Sequence, residues 1–162
     1  MKTAVSALAL AAGLTLSLPL LAESRTAYGP QLEGFSYPHP LKHYRFESQG
    51  KALEMAFMDV EPQGKANGRT ALLLHGKNFC GATWERTIEV LSQAGYRVIA
   101  PDQVGFCSSS KPEGYQFSFA QLAHNTQALL EQEDIEQVTV IGHSMGGMLA
   151  ARLALNYPQR VE

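Results

Sequence analysis

Hydrophobic and polar residues alternate along two neighbouring segments in the first half of the chain. In residues 41–47, Tyr44 and Phe46 lie on the same side of the alternation, and residues 53–60 repeat the pattern. A period of two is typical of a strand with one face in a core. The turn-forming residues 48–51 separate the two segments. The pattern therefore predicts an antiparallel hairpin.

Three later segments are richer in apolar residues and do not show this alternation. They are residues 71–74, 97–100 and 137–142. Residues 71–74 form an unbroken apolar run, which is typical of a parallel strand that is covered on both faces, and the other two segments are predicted to be further strands. Helices are then needed on both sides of the sheet.

The first of these helices is predicted between the first two apolar runs. Thr83 can cap its N-terminus, and Gly95 can end it. Its apolar side carries Trp84, Ile88 and Leu91. The spacing of these three residues matches one face of a helix.

A second helix is predicted over residues 118–133. Ser118 and Gln121 have the spacing of a capping box. The apolar stripe of this helix consists of Phe119, Leu122, Ala123, Thr126 and Leu130. A third helix opens at Ser144, and Pro158 ends it. Two antiparallel strands followed by alternating strands and helices predict an α/β fold.

The first 40 residues lack these core patterns. A single lysine precedes an uncharged, largely apolar stretch, and we interpret residues 1–22 as a signal peptide that is cleaved after Ala22 or Ser24. This predicts export to the periplasm or secretion, with no membrane contact after cleavage. An uncleaved membrane anchor is the alternative. Residues 23–40 predict an extended lead-in, and residues 41–162 predict the folded domain.

Composition narrows the class of partner. The 162 residues are 45% hydrophobic and 17% charged, which is ordinary for a chain that builds one globular core. The net charge is −2, and both signs are scattered along the chain without a basic run. The sequence therefore predicts no nucleic-acid partner and no attraction to an anionic membrane. It does not predict an oligomeric state.

The third helix begins at a motif with catalytic meaning, Gly142-His143-Ser144-Met145-Gly146. A serine on a sharp turn from strand to helix has a strained backbone and an exposed hydroxyl, and the glycines on either side allow the backbone to pass closely. The Met145 N–H opens the helix and can face a negatively charged oxygen. The motif predicts a nucleophilic Ser144 on an elbow.

A second motif, His75-Gly76-Lys77, closes the first parallel strand. With this turn and the elbow, the chain from about Leu41 onward resembles the N-terminal half of the α/β-hydrolase superfamily. The resemblance implies that the backbone N–H groups of Lys77 and Met145 form an oxyanion hole. Two preoriented amides stabilise the negative charge that develops on a carbonyl oxygen during acyl transfer.

The resemblance implies a serine hydrolase that acts on a small-molecule ester or related acyl substrate through an acyl-enzyme at Ser144, without a cofactor. Thioester, amide and carbon–carbon bond hydrolysis stay open. Serine at this position argues against the dehalogenase and epoxide-hydrolase branches, whose elbow carries an aspartate.

The order of catalytic residues in this superfamily is serine, acid, histidine. The acid and the histidine are therefore expected beyond Glu162, and the chain is expected to be a fragment, truncated after the elbow helix, that is inactive or weakly active. The alternative is a non-catalytic binding or pairing module that uses the open edge of the sheet.

None of the histidines in this sequence is expected to be the base for Ser144. His75 is expected to order the oxyanion loop, His143 to pack within the elbow, and His124 to lie on a solvated helix face. No pair of histidines has metal-ligand spacing with a third ligand, so no metal site is predicted.

Residues 102–109 resemble the superfamily loop with the pattern D-x-x-G-x-G-x-S, with Cys107 in place of its second glycine. Asp102 is expected to hold this turn. If the strands before Cys80 and Cys107 are neighbours, as the resemblance implies, both thiols lie at the same sheet edge and can form a disulfide. Two separate, half-buried thiols are the alternative. Three aromatic residues near this edge suggest an apolar pocket: Phe79, Trp84 and Phe106.

Overall fold

The computed structural model describes residues 27–162, so the proposed signal peptide lies outside the described residues. The strands are β1 (Leu41–Ser48), β2 (Lys51–Val60), β3 (Thr70–Leu74), β4 (Arg97–Pro101) and β5 (Thr139–Gly142). The helices are α1 (Glu85–Gln93), α2 (Phe119–Gln132) and α3 (Met145–Asn156), with short 3-10 turns at Gly81–Trp84 and Pro158–Arg160.

The five strands form one mixed sheet in the order β1-β2-β4-β3-β5. β1 pairs antiparallel with β2, and β2 pairs antiparallel with β4. β3 pairs parallel with both β4 and β5. The predicted α/β architecture is confirmed.

The hairpin between β1 and β2 closes through two residues with positive φ, Gln49 at 52° and Gly50 at 67°. Two consecutive residues of this kind give a turn whose twist matches that of paired strands. The turn brings Ser48 opposite Lys51, which sets the register of the whole hairpin.

The core lies on both faces of the sheet. Leu72 and Leu74 of β3 contact one hydrophobic cluster, which includes residues of α2 and α3, and Leu73 contacts a second cluster, which includes Ile88 of α1. All three leucines are 0% exposed. The prediction that this apolar run is covered on both faces is confirmed.

The first helix starts later than Thr83 predicts. Thr83 lies inside the 3-10 turn, and its hydroxyl donates to the carbonyl of Cys80 at 2.7 Å. α1 then begins at Glu85 without a side-chain cap. The prediction of an N-cap at Thr83 is wrong: Trp84 is the residue that precedes α1, and the Thr83 hydroxyl bonds within the 3-10 turn instead.

The start of α2 is capped from one side. The Ser118 hydroxyl accepts from the N–H of Gln121 at 3.0 Å, as predicted. The Gln121 side chain donates instead to Asn125 at 3.0 Å, so the reciprocal half of the capping box does not form. Phe119 is 40% exposed, and the buried stripe begins at Leu122.

β5 lies at the edge of the described sheet. On its outer side, Val138 forms one parallel bridge with Val161. The N–H of Val138 donates to Arg160 at 2.8 Å, and the N–H of Glu162 donates to Val138 at 3.1 Å. Within residues 27–162, the outer edge is thus paired at Val138, just before β5, and open along β5 itself.

Residues 27–40 contain neither helix nor strand. Two hydrogen bonds of 2.9 Å, from Leu32 to Gly29 and from Phe35 to Leu32, turn this segment back on itself. No helix within residues 27–162 has the length and apolar character needed to cross a bilayer.

Candidate active site

Ser144 lies at the junction of β5 and α3 with a strained backbone. Its φ is 53° and its ψ is −114°. A non-glycine residue in such a conformation costs about 1–3 kcal/mol and is found mainly where function demands it. Within residues 27–162, the Ser144 hydroxyl has no hydrogen-bonding partner.

The glycines on either side of the elbow are required by close backbone contacts. A Cβ on Gly142 would overlap the carbonyl of Gly146. A Cβ on Gly146 would overlap the carbonyl of Leu74 and lie 2.9 Å from the oxygen of His75. The first turn of α3 therefore rests directly on the carboxyl end of β3.

The loop after β3 forms a tight turn over residues 76–79, which we call the oxyanion turn. Its N–H at Phe79 donates to the carbonyl of Gly76 at 3.1 Å, and Asn78 has a φ of 66°. Neither the N–H of Lys77 nor that of Met145 has an acceptor within the described residues. Both are therefore free to bind an oxyanion.

His75 fixes the oxyanion turn to the neighbouring strand. Its Nδ1–H donates to the carbonyl of Gly76 at 2.8 Å, and its Nε2 accepts from the N–H of Gln103 at 2.9 Å. Burial lowers the pKa of His75, which favours this neutral imidazole. Because both ring nitrogens are engaged, His75 is a positioning group and not a base for Ser144.

The other two described histidines near α3 also make packing contacts. The His143 ring lies edge-on to Phe79, with 5.6 Å between ring centroids, and covers Gly76. His124 Nδ1 lies 2.8 Å from the hydroxyl of Tyr157 on the surface. Neither ring hydrogen-bonds to the serine.

Asp102 is 1% exposed and organises the loops that follow β3 and β4. Its carboxylate accepts from the N–H of Gly81 at 2.7 Å, from the N–H of Ser108 at 3.0 Å and from the hydroxyl of Tyr37. Burial, together with the bond to this carboxylate, raises the pKa of Tyr37. These contacts use the Asp102 carboxylate to hold a turn, and none of them joins it to a histidine as in a catalytic triad.

Cys80 and Cys107 form a disulfide with 5.8 Å between their Cα atoms. Asp102 places a carboxylate oxygen within 4.8 Å of both sulfurs. The sulfurs are bonded to each other, so this cluster offers a metal ion a single ligand and does not fit a metal site.

An apolar cavity of about 600 Å³ opens beside the two free N–H groups. It is lined by Lys77, Phe106, Phe117, Ser118, Phe119, Ala120, Leu122, Met145 and Arg152. Of the three aromatic residues that the sequence suggested, Phe106 lines the cavity. Phe79 packs on His143, and Trp84 packs against the core cluster on the other side of the sheet.

Sequence reasoning missed Phe117 and Phe119 as cavity residues. Both flank the cap of α2, and they are 50% and 40% exposed. Phe119 fits the apolar stripe of α2, which favoured a core position. Large exposed aromatic residues on either side of a helix cap are the signal that could have identified the cavity wall.

Comparison with known proteins places this geometry among hydrolases. The family described as alpha/beta hydrolase fold matches residues 71–162. A probable hydrolytic enzyme of Pseudomonas aeruginosa PAO1 is 65% identical, with a TM-score of 0.81 over 83% of this chain and 43% of that enzyme.

Two relatives known from their sequences point the same way. An AB hydrolase superfamily protein of Bacillus subtilis is 39% identical over 65% of this chain and 37% of its own length. A haloalkane dehalogenase of Psychrobacter cryohalolentis is 30% identical over 70% of this chain and 37% of its own length. The chain spans less than half the length of these relatives.

Proposed function

The chain belongs to the α/β-hydrolase fold family, as the elbow and the His-Gly turn predicted, and from this premise we propose that it carries the nucleophile of a serine hydrolase. The observation that carries the proposal is the arrangement around Ser144. Ser144 has a strained backbone conformation, the N–H groups of Lys77 and of the adjacent Met145 are unpaired within residues 27–162, and both Lys77 and Met145 line one apolar cavity.

This arrangement supports acyl transfer. The Ser144 oxygen attacks the carbonyl carbon of an ester while its proton passes to a base, and the carbonyl oxygen takes the negative charge. The N–H groups of Lys77 and Met145 stabilise that charge, each by about 3–4 kcal/mol. The intermediate then collapses, the leaving oxygen takes the proton from the base and departs as the alcohol, and water hydrolyses the acyl-enzyme.

The base is proposed to lie outside the described residues. No imidazole within residues 27–162 hydrogen-bonds to Ser144, and the two ring nitrogens of His75 are engaged elsewhere. We propose that this base is a histidine oriented by an acid. Both would lie in a segment that corresponds to the part of the longer relatives that this chain does not match.

The proposed substrate is an ester or related acyl compound whose apolar group enters the cavity. A serine forms an ester intermediate that water can hydrolyse at its carbonyl carbon. The dehalogenase and epoxide-hydrolase branches use an aspartate at the elbow, and this chain has Ser144 there. This difference favours acyl substrates over haloalkanes.

The test is labelling of Ser144 with a fluorophosphonate in the presence and absence of imidazole. An external base substitutes for a histidine that is not within reach, so we expect slow labelling in buffer and a several-fold increase with imidazole. The S144A variant serves as the blank. S92A, a serine buried at the end of α1, serves as the matched control and keeps full labelling.

Each part of the proposal can fail separately. Labelling that is no faster than in S144A, with or without imidazole, would refute the nucleophile. Labelling that is already fast without imidazole would retain the nucleophile and refute a base outside the described residues.

A further inference from the structure

The disulfide joins the two loops that border the proposed active site. Cys80 follows the oxyanion turn directly, and Cys107 follows Phe106, a wall residue of the cavity. The two loops extend from β3 and β4, which are parallel neighbours in the sheet. The bond therefore ties the oxyanion turn to the cavity wall.

The carboxylate of Asp102 grips the residue after each cysteine. It accepts from the N–H of Gly81 at 2.7 Å and from the N–H of Ser108 at 3.0 Å. These two bonds attach Gly81 and Ser108, the residues that follow the cysteines, to Asp102, which directly follows β4. The covalent bond extends the fixed region to Cys80, the residue next to the oxyanion turn.

The oxyanion turn itself has little packing of its own. Lys77, Asn78 and Phe79 are all exposed, and Phe79 is 46% exposed. The Sγ of Cys107 lies 3.3 Å from the carbonyl oxygen of Phe79. Because a disulfide sulfur carries no proton, this is a packing contact, and it holds the last peptide of the turn against the opposite loop.

Cys107 also sits in a backbone conformation that favours glycine. Its φ is 46°, in the left-handed region. Holding a non-glycine residue there costs about 1–2 kcal/mol. A side chain at this position has a use that offsets the strain, since glycine could not form the bond to Cys80.

We propose that the Cys80–Cys107 disulfide is a positioning element of the oxyanion hole. It restrains the oxyanion turn so that the N–H of Lys77 and the N–H of Met145 converge on one oxygen. This inference rests on the proposed function of Ser144. Removing a whole oxyanion donor costs about 10²–10³-fold in rate, and a donor that is only loosened costs less, about tenfold.

The test compares the native chain with the C80A/C107G variant. Glycine adopts the φ of residue 107 without strain, so this variant loses the bond and keeps an unstrained loop. Two quantities are measured: the maximal rate of Ser144 phosphonylation with imidazole present, and hydrogen exchange at the Phe79 N–H, which closes the turn. We expect the phosphonylation rate to fall about tenfold, with the half-saturating probe concentration little changed, and the Phe79 exchange to accelerate.

Two controls separate positioning from general loss of stability. D59N weakens an ion pair at the opposite end of the sheet and should leave both measurements unchanged. Reduction of the native protein with a dithiol should reproduce the variant, and reoxidation should restore the native rate. Because reduction and reoxidation use the native sequence, they test the inference even if the C80A/C107G variant is poorly folded.

Unchanged phosphonylation and unchanged Phe79 exchange after loss of the bond would overturn the inference. If the native chain shows no phosphonylation at all, the proposed function fails, and the Phe79 exchange alone then decides whether the bond restrains the turn.

Discussion

Gly146 and Gly147 are neighbours at the start of α3, yet the structure makes opposite demands on them. A Cβ on Gly146 would overlap the backbone at the end of β3. A Cβ on Gly147 would have one neighbour, the oxygen of Gly142, at an ordinary contact distance of 3.8 Å. One glycine is required by packing, and the other only weakens a helix.

The pair gives a prediction with its own control. G146A should lower the free energy of unfolding by more than about 2 kcal/mol, because the backbone of β3 cannot move aside cheaply. G147A should raise it by about 0.5–1 kcal/mol, since alanine favours a helix over glycine. Urea unfolding of both variants measures this. Equal stability of G146A and the native chain would mean that α3 does not rest on β3.

At the level of single residues, the elbow could be predicted from the sequence because its constraints are local. The sharp turn at Ser144 requires a glycine two residues before it and another two residues after it, and this requirement is visible within the five residues 142–146. The roles of Trp84 and Phe119 could not be predicted, because an apolar side chain fits a core and a cavity wall equally well. The choice depends on how distant segments pack.

Among the elements, α2 depends on the Ser118 cap to stabilise its N-terminus, which lies beside the cavity. Its first turn carries no acidic residue, so the Ser118 hydroxyl is the main group that satisfies the free N–H groups there. S118A should cost about 1 kcal/mol of unfolding free energy. S118D, whose side chain can accept the same bond, should stay within a few tenths of a kcal/mol of the native chain. Equal losses in both variants would contradict a capping role.

Three strands meet in a charged network at the other end of the sheet. Asp59 of β2 has a side chain that is 1% exposed and is paired with Arg97 of β4 at 2.8 Å and with Lys42 of β1. Burial opposes ionisation of Asp59, but the bonds and charges of Arg97 and Lys42 outweigh it and lower its pKa. The network therefore ties the hairpin to β4.

A lowered pKa in the folded state sets the direction of a pH effect. The contribution of Asp59 to stability is complete above the ordinary pKa of an aspartate, about 3.9, and is lost as the pH falls through the lower folded value. D59N should be about 2 kcal/mol less stable than the native chain at pH 7, with the difference shrinking below pH 4. Denaturant unfolding at several pH values measures this. A difference that is constant down to pH 2 would refute the ion pair.

The elements themselves were largely predictable, because period-two alternation and unbroken apolar runs follow from which faces are buried. The start of α1 was not. The disulfide and the bonds to Asp102 hold Gly81–Trp84 in a 3-10 turn. No local pattern reveals a constraint that comes from residues more than 20 positions away.

For the whole molecule, the disulfide supports the proposal that the protein is exported, since such bonds persist in oxidising compartments. Intact mass of the protein isolated from the periplasm or the medium should correspond to a chain that begins after Ala22 or Ser24. A product in the cytosol that retains Met1 and has two free thiols would contradict export.

The strand order has a consequence for how the chain assembles as it is synthesised. The hairpin β1–β2 can pair as soon as it leaves the ribosome, although two strands alone are marginally stable in water. β3 comes next but has no partner, because the place between β2 and β3 belongs to β4. When β4 arrives it can pair with both at once and join the four strands, and β5 adds later to the free edge of β3. A nascent chain that stalls before Arg97 therefore exposes β3, in which four of five residues are apolar, to chaperones and to aggregation.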